Sequence, residues 1–79
     1  MLVSFDNFAM RSNAKLPKAL GKRIQKRRKE LKLTQEDLAE KVDISRAYVG
    51  YIEQGRNTPS LEVLQKIAKA LKKSLNEFF

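Results

Sequence analysis

The chain has 79 residues, 42% of them hydrophobic, enough for one small domain with an economical core. It contains no cysteine and no histidine, which removes disulfides, thiolate metal sites and the commonest general base, so no enzyme, metal or cofactor is expected. Its 17 Lys+Arg against 9 Asp+Glu leave a net charge of +8, and no apolar run approaches the roughly 18 residues that cross a bilayer, so a basic cytoplasmic chain with no membrane association is expected.

Residues 1–16 read as an N-terminal arm. Leu2, Val3, Phe5, Phe8 and Met10 give way to Arg11, Ser12 and Asn13 without a helical or strand period, and the opening MLVSFDNFAM lacks the basic start of a secretory signal. A flexible arm, a packed arm and an artefact of the start site all remain open. Residues 17–79 read as the folded domain. Pro17 suits the first turn of a helix, and helix one is expected from about Lys18 to Lys32, with Leu20, Ile24, Arg28 and Leu31 on one stripe. Between Arg11 and Lys32 lie ten basic residues and a single acid, Glu30, so this segment carries +9 and the remainder −1. A basic strip attracts nucleic acid through counterion release. A solvated helix face and a membrane-surface helix are the competing readings.

Thr34 is a good N-cap, with Asp37 placed as its capping-box partner. Helix two, Gln35 to Val42, is expected to bury Leu38, Ala39 and Val42. Ser45 caps helix three, Arg46 to Gln54, with Val49 and Ile52 inward and Gly55 stopping it at positive φ. After the loop Arg56-Asn57-Thr58-Pro59, Ser60 caps helix four, whose apolar stripe is Leu61, Leu64, Ile67, Ala68 and Leu71. Lys66, Lys69, Lys72 and Lys73 take its other side. Ser74 and Glu77 form a second capping box before a last helical turn holding Leu75, Phe78 and Phe79. No segment alternates with period two, so the expected fold is an all-α bundle of five short helices.

Helices two and three, joined by a tight turn, have the plan of a helix-turn-helix. Ala39 lets the helices approach, Ile44 plugs the turn, and Val49 and Ile52 anchor the second helix. The other face of helix three, Arg46, Ala47, Gly50, Tyr51 and Gln54, is then turned outward. Its N-terminal end suits a major groove, where an arginine bonds a guanine edge with two hydrogen bonds.

The segment LTQEDLAEKVDISRAYVGYIEQGRNTPSL resembles the Cro/phage-repressor, or Xre, type of helix-turn-helix, with T-Q-x-x-L-A, I-S, V-x-x-I-E-x-G and P-S-L at that family's spacing. Within it, S-R-A-Y-V-x-x-I-E resembles the controller proteins of restriction–modification systems. The resemblance covers about Leu20 to Phe79. It implies a five-helix, lambda-repressor-like domain that binds double-stranded operator DNA, usually as a homodimer. It makes Arg46, Ala47, Tyr48 and Tyr51 the candidate base-reading residues. It gives phosphate contacts to Gln35, at a helix N-terminus that suits an anion, and to Arg56, Asn57 and Thr58. Arg28 and Glu53 match a buried ion pair.

Arg27 is a further candidate for a phosphate, while Lys18, Lys22 and Lys29 are read as long-range attraction. Leu75, Phe78 and Phe79 are candidates for a dimer interface, closure of the core being the competing role of the two phenylalanines. Asp43 holds a turn position at which this family usually has Gly, and Gly50 weakens helix three by about 1 kcal/mol relative to Ala. With no ligand domain, no small-molecule ligand is expected. The reading is a sequence-specific, dimeric DNA-binding transcriptional regulator. The alternative is an antitoxin or coactivator-like protein-interaction module with DNA binding secondary.

Overall fold

A computed structural model describes residues 17–79, and the arm read at 1–16 lies outside the described residues. Helix α1 covers residues 17–30, α2 Gln35–Val42, α3 Arg46–Glu53 and α4 Leu61–Ala70, and a 3-10 turn, Leu75–Phe78, follows. The five-helix expectation is therefore corrected: among the described residues there are four α-helices, and the fifth element is a single turn. Its backbone bonds span three residues, Glu77 N–H to the Ser74 carbonyl at 3.1 Å and Phe79 N–H to that of Asn76 at 3.3 Å, the tighter 3-10 pattern that occurs in short pieces.

Side-chain caps begin three of the helices. Thr34 Oγ1 accepts the Asp37 N–H at 3.0 Å, and Asp37 Oδ2 accepts the Thr34 N–H at 2.9 Å. Ser45 Oγ accepts from the Tyr48 N–H and Ser60 Oγ from the Val63 N–H, at 3.0 and 3.2 Å. Each such cap stabilises its helix by about 1 kcal/mol. At Ser74 the backbone half of the expected box is present, its N–H donating to Glu77 Oε2 at 2.7 Å.

All four helices stop the same way. An N–H two or three residues beyond the helix reverses onto a carbonyl five residues back: Leu33 onto Arg28, Ile44 onto Ala39, Arg56 onto Tyr51 and Lys73 onto Ala68, at 2.8 to 3.0 Å. This reversal requires a left-handed residue just before the donor. Gly55 supplies it at φ 77°, but Lys32, Asp43 and Lys72 supply the others at φ 58–59°. The left-handed region disfavours a Cβ, so the three side-chain-bearing stops are strained, and Lys32 ends α1 instead of extending it.

The stripe predicted for helix one packs as expected. Leu20, Ile24 and Arg28 are buried against Leu38, Ala39 and Val42 of α2, Val49 and Ile52 of α3, Leu64, Ile67, Ala68 and Leu71 of α4, and Phe78. Leu61, expected on the α4 stripe, is 62% exposed. It sits in the first turn of the helix, beyond the core that Leu64 closes. Gly21 marks the closest approach of α1 to the end of α3. A Cβ there would lie 2.6 Å from the Glu53 carbonyl oxygen and would also overlap that of Ile52. This contact sets how deeply α3 seats against the rest of the domain.

Candidate nucleic-acid interface

The recognition candidate α3 is amphipathic in the strict sense: Val49 and Ile52 are each 1% exposed, whereas Arg46, Ala47 and Gln54 are exposed and Tyr51 is 43% exposed. Tyr48 is half-buried and leans on the core. Gly50, expected on the outer face, is buried. The Gln35 side chain lies over it, and a Cβ at Gly50 would meet Gln35 Oε1 at 3.9 Å, ordinary contact distance. The outer surface of the helix is thus Arg46, Ala47, Tyr51 and Gln54.

Gln35 reaches over Gly50 to a buried charge. Its Nε2 donates to Glu53 Oε1 at 3.0 Å, and Glu53 also accepts two hydrogen bonds from Arg28, at 2.7 Å to Nε and 3.1 Å to Nη2. Arg28 Nη1 donates in turn to the Leu33 carbonyl at 2.7 Å. Both charged residues are under 10% exposed, at 7% and 6%, and no buried side-chain N or O among the described residues lacks a partner. A paired, fully hydrogen-bonded ion pair is tolerated in a core, but removing one partner leaves the other charge buried and costs about 3–5 kcal/mol. The network joins α1, α2 and the end of α3, so the angle at which α3 stands is set by it.

The geometry changes the part assigned to Gln35. Its side-chain amide is committed to Glu53, so what α2 offers an anion is its backbone. The capping box uses the N–H groups of Thr34 and Asp37, and no acceptor among the described residues takes those of Gln35 and Glu36. Free N–H groups at a helix N-terminus suit a phosphate. The Thr34 backbone N–H, and after it the Thr34 hydroxyl, hold the Asp37 carboxyl below the usual carboxylate range. The box therefore stays closed at neutral pH.

At the other end of α3 the loop doubles back. The Tyr51 carbonyl accepts from Arg56 N–H at 2.8 Å and from Asn57 N–H at 3.4 Å. The Arg56 guanidinium carbon stands 6.0 Å from the centre of the Tyr51 ring. Arg56, Asn57 and Thr58 are exposed. Among the described residues no carboxylate lies within ion-pair reach of Arg46 or Arg56. Lys18 joins this end as well, since a Cβ on Gly55 would lie 2.9 Å from Lys18 Cα. In the sequence Lys18 is one of many basic residues of helix one, and only the packing of α1 on the α3 stop brings it to the loop.

Other basic residues of α1 serve the fold. Arg27 Nε donates to the Leu71 carbonyl at 2.9 Å, and its Nη1 meets Glu30 at 3.3 Å. Arg23 Nη1 donates to the Phe78 carbonyl at 2.9 Å. These cations cap carbonyls at the end of α4 and of the 3-10 turn, where negative charge accumulates. Arg27, read as a phosphate candidate, thus has its Nε on the Leu71 carbonyl and its Nη1 on Glu30, pairings of which the first is not revealed by spacing along the chain. The candidates for subunit contact also divide. Phe78 is 2% exposed and belongs to the core, Leu75 is half-buried, and Phe79 is 56% exposed. Phe79 lines a shallow groove with Pro17, Leu20, Thr58, Pro59, Leu61 and Leu64, none of them charged.

No group of metal-ligating side chains occurs among the described residues, and no helix there is long and apolar enough to cross a membrane. Known proteins bear on this geometry. The helix-turn-helix family profile matches residues 24–78. The immunity repressor protein of Bacillus phage phi105 is 52% identical over 52 residues, which are 66% of this chain and 36% of the repressor, so the chain spans about a third of that relative. A helix-turn-helix transcriptional regulator of Methanothermobacter thermautotrophicus is 50% identical over 48 residues, 61% of this chain and 70% of the regulator. The crystal structure of the restriction-modification controller protein C.AhdI from Aeromonas hydrophila superposes with a TM-score of 0.78 at 36% identity, covering 84% of this chain and 98% of the controller. These relatives are named as regulators and repressors, not as enzymes. With the match covering the buried Arg28–Glu53 pair, both capped helices and the tight turn between them, the chain belongs to the helix-turn-helix family of transcriptional regulators.

Proposed function

We propose that the chain is a sequence-specific DNA-binding transcriptional regulator that acts in the cytoplasm and reads a near-palindromic operator as a homodimer. The observation that carries this reading is the outer face of α3. It presents Arg46 and Ala47 at the N-terminal end of a helix whose opposite face is locked to the core, with no acid among the described residues to neutralise its cation. In a major groove, Arg46 would bond a guanine edge and Ala47 would contact a thymine methyl. Tyr48, half-buried, would contribute through its edge. The N–H groups of Gln35 and Glu36, the loop Arg56, Asn57 and Thr58, and Lys18 beside it would hold the backbone on either side.

Two copies would place their α3 helices about one DNA turn apart, roughly 34 Å. Subunits that each carry +8 repel one another, so the contact between them is expected on an uncharged surface. The groove of Leu61 and Phe79 is such a surface. Selection of bound duplexes from a random pool tests the reading: winners with a two-fold symmetric site support it. A protein that remains monomeric and binds all duplexes alike would instead favour the protein-interaction module. Leu61→Lys should convert the dimer to a monomer on a sizing column and abolish tight operator binding.

A further inference from the structure

The surroundings of Tyr51 point away from base reading. In the reversal that ends each helix, the residue donating the long hydrogen bond is folded back over the residue that accepts it, and an apolar contact between the two side chains usually accompanies the bond. At the end of α3 that pair is Arg56 and Tyr51. Their backbone bond is 2.8 Å, as short as at any of the four stops. The side chains meet as a guanidinium 6.0 Å from an aromatic ring centre, the outer reach of a cation–π contact. The pairs at the other three stops are Leu33–Arg28, Ile44–Ala39 and Lys73–Ala68, and none sets a cation over an aromatic ring.

The arrangement is built in. Gly55 at φ 77° makes the reversal, and α1 blocks any side chain there, because Lys18 Cγ and Cα would lie 2.8 and 2.9 Å from its Cβ. The direction in which Arg56 leaves the helix is thereby fixed, and it runs over Tyr51. Arg56 has no carboxylate partner among the described residues to draw it away. Position along the helix agrees. Tyr51 lies five residues beyond Arg46, about 7.5 Å further from the inserting end at 1.5 Å per residue. In a helix-turn-helix the N-terminal residues of this helix are the ones that meet base edges, and Tyr51 lies beyond them.

We propose that Tyr51 is a positioning residue: its ring is the platform on which the Arg56 guanidinium is held for a phosphate at the edge of the site, so Tyr51 acts on DNA through Arg56 and carries no base preference of its own. The proposal rests on α3 being the DNA-contacting helix and deepens that reading. The ring, and not the hydroxyl, does the holding, so Tyr51→Phe retains the effect and Tyr51→Ala loses it.

The test uses the full chain and four variants, Tyr51→Ala, Tyr51→Phe, Arg56→Ala and the double Tyr51→Ala/Arg56→Ala. Binding is titrated against the selected operator and a scrambled duplex over a series of salt concentrations. Tyr51→Ala should weaken both duplexes by the same factor, about two- to fivefold, and move the salt slope toward that of Arg56→Ala. The double variant should bind no worse than Arg56→Ala alone. Tyr51→Phe should match the parent. In free protein, without DNA, the Arg56 side-chain protons should show a ring-current shift that Tyr51→Ala removes and Tyr51→Phe keeps. A changed ratio between the two duplexes in Tyr51→Ala, additive losses in the double variant, or an absent ring-current shift would each overturn the platform. A parent chain that shows the ring-current shift but binds neither duplex would overturn the DNA reading, and with it the role given to Arg56. Tyr51 lies outside the core, and a thermal melt of each variant verifies that it is folded.

Discussion

On the inner side of α3, Glu53 holds Arg28 with two hydrogen bonds, and both residues are buried. On the outer side, Arg46 and Arg56 are exposed and no carboxylate among the described residues faces them. The same side chain serves opposite ends. Inside, it closes a network whose every polar group is satisfied, and its value is to fix the angle of α3. Outside, it is left without an intramolecular partner, and its value lies in what it can still bond. A residue's part in recognition is decided by whether the fold has already used its hydrogen bonds.

Substitutions on the two sides should therefore separate. The largest effect is expected inside: Glu53→Ala strands a buried guanidinium and should destabilise the domain by about 3–5 kcal/mol in a denaturant titration. Gly21→Ala comes next. Its methyl would meet the carbonyls that end α3, and overpacking of this kind costs about 1–3 kcal/mol. Because backbone must move, that variant should also lose DNA affinity beyond the loss explained by its unfolded fraction. A smaller stability change in Gly21→Ala than in an exposed substitution such as Gln54→Ala would deny the close approach.

On the outside, Arg46→Ala should leave the melting temperature within a degree or two. It should cost about 1–3 kcal/mol of binding, concentrated at one base pair. Arg56→Ala should weaken all duplexes alike and reduce the salt slope by about one. Equal effects of both substitutions on every sequence would erase the distinction between reading and gripping.

The smallest effects test the helix geometry. Gly50→Ala has room for its methyl beneath Gln35 and should stabilise the chain by up to about 1 kcal/mol. Lys72→Gly relieves a left-handed side chain at φ 58° and should add about 0.5–1 kcal/mol in thermal unfolding. A loss of stability in either would show that the side chains around it hold more than the geometry indicates.

What could be read from the residues alone follows from how local each signal is. Thr34, Ser45 and Ser60 announce helix starts because a cap hydrogen bond spans three residues. Gly55 announces a stop because only glycine enters the left-handed region freely. The stripe Leu20, Ile24 and Arg28 shows a charge inside the core because the helical period is fixed by the backbone. Position along the chain likewise pointed to Arg46 and Ala47 as the exposed leading end of α3. The stops at Lys32 and Lys72 carried no such signal, since lysine is an ordinary helix former and the reversal there is imposed by the elements that follow.

The chain's own order of residues thus determined that it would be helical, where most helices begin, and which stripe of each turns inward, since these depend on contacts within a few residues. Tertiary structure alone decided the rest. It drew Arg27 and Arg23 to the carbonyls of Leu71 and Phe78, laid Gln35 across Gly50 to reach Glu53, and brought Lys18 beside the loop that carries Arg56. Each of these joins groups far apart in the chain, and a hydrogen bond or a close contact between distant segments exists only once helices of definite length have packed at a definite angle.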